Sequence, residues 1–137
     1  MKLNPYLSFN GQCEAAFKFY AECLKGEIIA LHRMSDMPAE YQTSEEHKNR
    51  VAHVRLIAAG AVLMGSDNPP EMYRPPAGMC VSLTVEDPAE ADRIYAALSD
   101  GGSVQMPIQE TFWAKRFAMF ADRFGTPWMI NCESSGG

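Results

Sequence analysis

The sequence predicts an α+β protein built from two βαβββ modules in tandem. Three observations carry that prediction. The order strand, capped helix, terminal glycine and three strands occurs twice. A spacing of 77 residues separates the first helix cap, Asn10, from the second, Asp87, and 76 residues separate the terminating glycines Gly26 and Gly102. A nearly constant offset across unlike elements indicates an internal duplication. The halves share little residue identity, so order and punctuation are the signal.

In the first module, Leu3–Phe9 alternates apolar and polar residues and stops at Asn10-Gly11, the pattern of a strand. Leu7 and Phe9 are expected to face a helix, with Tyr6 and Ser8 on the opposite side. Over Gly11–Leu24, Cys13, Ala16, Phe17, Tyr20 and Leu24 fall at helical spacing, Asn10 is placed to cap the start, and Gly26 follows the end. Glu27–Met34 is β-prone. The polar stretch Ser35–Asn49, with Pro38 and the Glu45-Glu46 pair, reads as a mobile loop. Val51–Ala58 and Ala61–Ser66 form a hairpin around Ala59-Gly60. Asp67 is expected to form a turn before the proline run, and Asp67–Gly78, with four prolines, to be a linker.

In the second module, Met79–Val85 alternates as a strand, with Met79, Val81, Leu83 and Val85 towards a helix and Cys80, Ser82 and Thr84 away from it. Asp87 as N-cap, Pro88 at the first helical position and Glu90 completing a capping box start the second helix. Its buried stripe is Ala91, Ile94, Tyr95 and Leu98, and Gly101-Gly102 ends it. Three strands follow over Ser103–Pro107, Phe112–Ala121 and Pro127–Cys132. The modules thus span about 1–67 and 79–133, joined by residues 68–78 in a single domain.

Bulk properties exclude several function classes. At 137 residues, 47% of them hydrophobic and 21% charged, the composition is that of a chain with a packed core. A net charge of −5 argues against a nucleic-acid partner. No apolar run approaches the roughly 20 residues that span a bilayer. Pro5 interrupts the place where a signal peptide would be apolar, so a cytoplasmic location is expected. Cys13, Cys23, Cys80 and Cys132 are scattered without a CxxC pair, which points to reduced thiols.

Several strings carry a family resemblance. They are 5–11 (PYLSFNG) followed by 14–20 (EAAFKFY), then 51–54 (VAHV), 63–67 (LMGSD), Gly101-Gly102, Met106-Pro107, 110–113 (ETFW) and 122–128 (DRFGTPW). In this order they resemble the PhnB-like branch of the glyoxalase/bleomycin-resistance/extradiol-dioxygenase, or vicinal-oxygen-chelate, superfamily, over essentially the whole chain. The resemblance implies that each module curls its sheet into a half-barrel around a small-molecule cavity, and that the protein is a homodimer. Activities in the superfamily include metal-dependent lyases, isomerases, dioxygenases and thiol transferases, and also metal-free drug-sequestering proteins, so the fold does not decide between them.

Strand alternation selects the cavity-facing residues. In Val51–Ala58, the apolar set Ala52, Val54, Leu56 and Ala58 should pack on a helix, leaving Val51, His53, Arg55 and Ile57 inward. Relatives that bind a divalent metal place His or Glu on inward positions of the first and last strands of each module. Matching strand to strand, the resemblance puts those positions on Tyr6, on Met64, Ser66 or Asp67, on Cys80, and on Met129 with Asn131 nearby. This is not the His and carboxylate set such ions require, so no cofactor is expected, and a divalent metal is disfavoured, being possible only through an unusual set of ligands.

His53 is the expected catalytic residue, an inward imidazole suited to acid/base work. The competing reading is a histidine simply hydrogen-bonded inside the cavity or beside Arg55. His32 and His47 are expected at the surface. Tyr6, Ser8, Arg55, Cys80, Ser82, Glu110, Trp113 and Asn131 complete the expected ligand-binding set, with Trp113 placed to stack on a flat molecule. For Trp113 core packing competes, and for Glu110 a solvated strand end. Asp122 is expected to be structural, and Cys80 has no basic sequence neighbour to activate it. Two functions lead, a small-molecule enzyme using His53 and a metal-free binding or sequestering protein, with a metal-dependent glyoxalase-, isomerase- or dioxygenase-type enzyme as the further alternative that the resemblance implies. A methyltransferase finds no support, because the chain has no GxGxxG turn for a nucleotide-like cofactor.

Overall fold

A computed structural model describes residues 1–41 and 45–133 of the chain. The chain divides into two compact units, Met1–Pro75 and Pro76–Gly137. The first contains β1 (Tyr6–Phe9), α1 (Cys13–Leu24), β2 (Glu27–Arg33), β3 (Val51–Ala58) and β4 (Ala61–Asp67). The second contains β5 (Val81–Thr84), α2 (Pro88–Ser99), β6 (Ser103–Gln109), β7 (Ala114–Ala121) and β8 (Pro127–Glu133). The sheets have equivalent orders, β1-β4-β3-β2 and β5-β8-β7-β6. In each, the first strand pairs parallel to the last and the other pairings are antiparallel. The duplicated βαβββ architecture predicted from the sequence is therefore present.

Each helix packs its apolar stripe on its own sheet. α1 buries Cys13, Ala16, Phe17, Tyr20 and Cys23, so Cys23 takes the place expected of Leu24. The Phe17 ring meets Tyr20 and Phe9 edge-on, at 5.5 and 6.2 Å between centroids. Burying a side chain of this size contributes about 1.5–3 kcal/mol. α2 buries Ala91, Ile94 and Leu98, and the half-buried Tyr95 sets its ring against Phe120. Trp128, Ile130 and Cys132 complete that core.

The helix ends differ from expectation. Asp87 caps α2 as predicted, accepting a hydrogen bond from the Ala89 N–H at 3.2 Å, while the Glu90 carboxylate binds the Arg93 guanidinium. α1 starts at Cys13, and Asn10 does not cap it; the Asn10 side chain accepts from Arg50 instead. The cap comes from across the module. Asp67, only 8% exposed, accepts from the N–H groups of Gly11 (2.8 Å), Cys13 (3.0 Å) and Val51 (2.9 Å). Asp67 is thus a tie between helix and strands rather than the turn former expected.

At the other end of α1 the left-handed residue is Lys25 (φ 53°), not Gly26. Gly26 is needed because a Cβ there would meet the Ile57 carbonyl at 2.8 Å. Gly102 stands in the same relation to β7, where a Cβ would meet the Ala121 carbonyl at 2.1 Å.

Strand limits also shift. Leu3, at 94% exposure, precedes β1, and Met79, at 80%, precedes β5 rather than facing a helix. The expected loop over 35–49 contains short 3-10 turns at Ala39–Tyr41 and Glu45–His47; its residues 42–44 lie outside the described residues. No helix among the described residues is long and apolar enough to cross a membrane.

Candidate functional site

The sheet face turned away from α1 carries the polar side chains of the first module. Register fixes the rows: Tyr6 pairs with Met64, Met64 with Arg55, and Arg55 with Ala30, while Ser8 pairs with Ser66 and His32 with His53. Paired residues of adjacent strands share a face, so Tyr6, Ser8, His53 and Arg55 are brought together as predicted. A break in the β2–β3 register leaves Ala52 unpaired between His53 and Val51. This bulge corrects one expectation. Val51 turns into the core at 1% exposure, with its N–H on Asp67, and Ala52 turns to the open face.

His53 is held on that face by two rings. The Tyr6 hydroxyl is hydrogen-bonded to His53 Nδ1 at 3.1 Å, with the rings stacked at 5.8 Å and 24°. The His32 ring stacks on its other side at 6.5 Å and 16°. His53 Nε2 has no hydrogen-bond partner among the described residues. Arg55 adds a buried Nε that likewise has no acceptor among them. His32 is exposed as expected, but its stacking on His53 was not anticipated.

A pocket of about 230 Å³ opens at the end of the same sheet, lined by Met34, His47, Arg50, Ala52, Ser66, Asp67, Asn68 and Pro69. Asn68 donates its amide to the Ser8 hydroxyl, tying this end of β4 to β1. At the end of β2, the Arg33 guanidinium grips Glu14 of α1 through two hydrogen bonds of 3.0 and 2.8 Å. That contact, assisted by Lys18, holds the Glu14 carboxyl at about 2, far below its ordinary 4.5. Burial, with the nearby Asp67 and Glu14 charges, pushes the Cys13 thiol up, so it stays protonated and unreactive.

In the second module the rows run Ser82–Met129–Met119–Met106 and Thr84–Asn131–Phe117–Gln109. Ser82 and Asn131 therefore share a face that is otherwise rich in methionine. Asn131 Oδ1 is buried there without a partner among the described residues. Cys80 is not on a strand; β5 begins at Val81, and Ser82, paired with Met129, stands where Tyr6 stands against Met64. Cys80 is exposed, as is Glu110 between β6 and β7. Trp113 precedes β7, is 43% exposed, and packs edge-on against Phe112 and Phe117. Asp122 binds the N–H groups of Phe124 and Thr126 and the Trp128 indole, a structural role.

The donors do not fit the superfamily's metal. Tyr6, Met64 or Ser66, Ser82 and Met129 occupy the corresponding strand positions, and the Asp67 carboxylate is taken up by three N–H donors. Among the described residues no three His, Cys, Asp or Glu side chains cluster for a metal ion.

Comparison with known proteins adds an independent line. Residues 1–131 match the family model described as 3-demethylubiquinone-9 3-methyltransferase. Protein YjdN of Escherichia coli K12 is 34% identical over 139 residues, covering 96% of this chain and 95% of that protein. The crystal structure of PA1353 from Pseudomonas aeruginosa is 44% identical, covers 97% of this chain and 98% of its own, and superposes with a TM-score of 0.89. A putative 3-demethylubiquinone-9 3-methyltransferase, PhnB protein, from Bacillus cereus shares the fold at 24% identity and a TM-score of 0.75, over 96% and 99% of the two chains. So does a glyoxylase/bleomycin resistance protein/dioxygenase domain from Frankia sp. EAN1pec, at 12% identity and 0.64, over 96% and 94%.

Proposed function

The chain belongs to the PhnB-like branch of the vicinal-oxygen-chelate superfamily, and from that premise we propose that it is a cytoplasmic, homodimeric protein that binds a small organic molecule on the polar sheet face of its first module, with His53 as the acid/base group. The observation that carries this reading is the Tyr6–His53 hydrogen bond of 3.1 Å. By engaging Nδ1, Tyr6 fixes the ring and leaves Nε2 as the nitrogen available to a ligand. Ser8 and Arg55 add a hydroxyl and a guanidinium to the same face, suited to polar groups of the ligand. The donor set argues for chemistry that needs no metal. Methyl transfer draws no support, since the sequence offers no glycine-rich cradle for a nucleotide-like cofactor.

Screening metabolites by thermal shift, then recovering each bound compound, tests the reading. A transformed compound, with turnover reduced about 10²–10⁴-fold by His53→Ala, is the expected result. Turnover untouched by that substitution removes His53 from the chemistry. One observation favours sequestration as a second reading: the half-exposed Trp113 with Phe112 beside it offers an aromatic surface in the second module. Tight binding of a compound recovered unchanged, weakened by Trp113→Ala but not by His53→Ala, is the outcome that reading expects.

A further inference from the structure

We infer that the pocket at the end of β3 and β4 is a subsite for a small oxyanion, a carboxylate or phosphate group, gripped by Arg50. The residues lining it play no part in the reading of His53 above, although both sites lie on the first module.

The guanidinium is already positioned. Arg50 Nη1 donates to Asn10 Oδ1 at 3.1 Å and to the Asn68 carbonyl at 2.9 Å. Its Nε and Nη2 have no hydrogen-bond acceptor among the described residues. That pair of nitrogens is the edge of a guanidinium that takes a carboxylate or phosphate through two parallel hydrogen bonds. A side chain anchored by one nitrogen, with the forked edge left over, has lost most of its rotamer entropy before a ligand arrives.

The other walls agree with an anion. Ser66 offers a hydroxyl that makes no hydrogen bond to the described residues, and His47 offers an imidazole. Asp67 also lines the pocket, but three backbone N–H groups take up its carboxylate, so it is not available to a cation. Met34, Ala52 and Pro69 supply apolar walls. At about 230 Å³ the pocket is smaller than the roughly 300 Å³ at which sites for drug-sized ligands begin, which suits a headgroup rather than a whole molecule. The bulge at Ala52 opens this space, because it turns that residue's methyl, not a larger side chain, onto the open face.

The test is an amide NMR titration of the full chain with inorganic phosphate and, separately, sodium acetate, at constant ionic strength against sodium chloride. Saturable shifts centred on Ala52, Ser66 and Asn68 are expected from at least one anion. Arg50→Lys, which keeps the charge and loses the fork, should weaken binding about tenfold. Should Arg50→Lys fail to fold, His47→Gln and Ser66→Ala take its place, each expected to weaken binding about threefold. His53→Ala should leave the affinity unchanged, which separates this site from the proposed acid/base group. Shifts that match chloride, that centre elsewhere, or that persist undiminished in the variants overturn the assignment. Saturation by acetate alone assigns a carboxylate, and by phosphate alone a phosphate.

Discussion

The two modules share a topology but not a chemistry. In the first, the open sheet face presents Tyr6, Ser8, His32, His53 and Arg55; in the second, the matching rows present Met106, Phe117, Met119 and Met129 with the uncharged Ser82, Thr84, Gln109 and Asn131. Their means of closure differ as well. Asp67 ties together backbone groups up to 56 residues away, whereas Asp122 holds groups two to six residues away. The duplication thus keeps strand order fixed while titratable groups concentrate on one copy. A scaffold set by main-chain pairing and helix packing tolerates that divergence, because the open face contributes little to either.

The largest effect should come from the long-range tie. Asp67→Ala leaves three N–H groups without their acceptor and should cost about 4 kcal/mol in denaturant unfolding. Asp122→Ala, whose partners are local and can rearrange, should cost about 2 kcal/mol. Equal losses would erase the distinction drawn between the modules. Gly102→Ala follows, at about 3 kcal/mol, because the new methyl meets the backbone of β7; Gly26→Ala, with a wider approach to β3, should cost about 2 kcal/mol. Asp87→Ala removes a local cap and should cost about 1 kcal/mol.

The smallest effect is electrostatic. Because pairing with Arg33 lowers the Glu14 carboxyl from 4.5 to about 2, its stabilisation is complete above about pH 4.5 and disappears as pH falls through about 2. The pair is about one-third exposed, so solvent screening limits it to about 1 kcal/mol. Glu14→Gln should lower stability near neutral pH and flatten its fall between those two values. An unchanged acid limb would remove the ion pair from the account.

Much of the fold was legible in the sequence because its punctuation sits at element ends: Asp87 and Pro88 act within a turn, and Gly26 and Gly102 each follow a helix end, although what requires them is the neighbouring strand's backbone. What escaped depends on distance. Asp67 gives no local sign of its partners at Gly11 and Cys13, so Asn10 looked like the cap. The bulge at Ala52 breaks the period of two that placed Val51 inward, and nothing in the 51–54 string marks it. Cys80 lost its place because β5 starts at Val81, two residues after the expected Met79. In the candidate site, alternation alone brought Tyr6, Ser8, His53 and Arg55 together, since those strands are regular at these positions. Arg50 went unnoticed: its acceptors, Asn10 and Asn68, lie 40 and 18 residues away.

The central claim is that the first module's polar face, and His53 in particular, meets the ligand. It is tested most directly by NMR on protein labelled at histidine imidazoles and methionine methyls, titrated with a panel of phenols and aromatic carboxylic acids. The predicted result is saturable movement of the His53 Nε2 resonance, reduced in Tyr6→Phe, for compounds that leave the Met119 and Met129 methyls still. Movement confined to those methyls, with His53 silent, would contradict it.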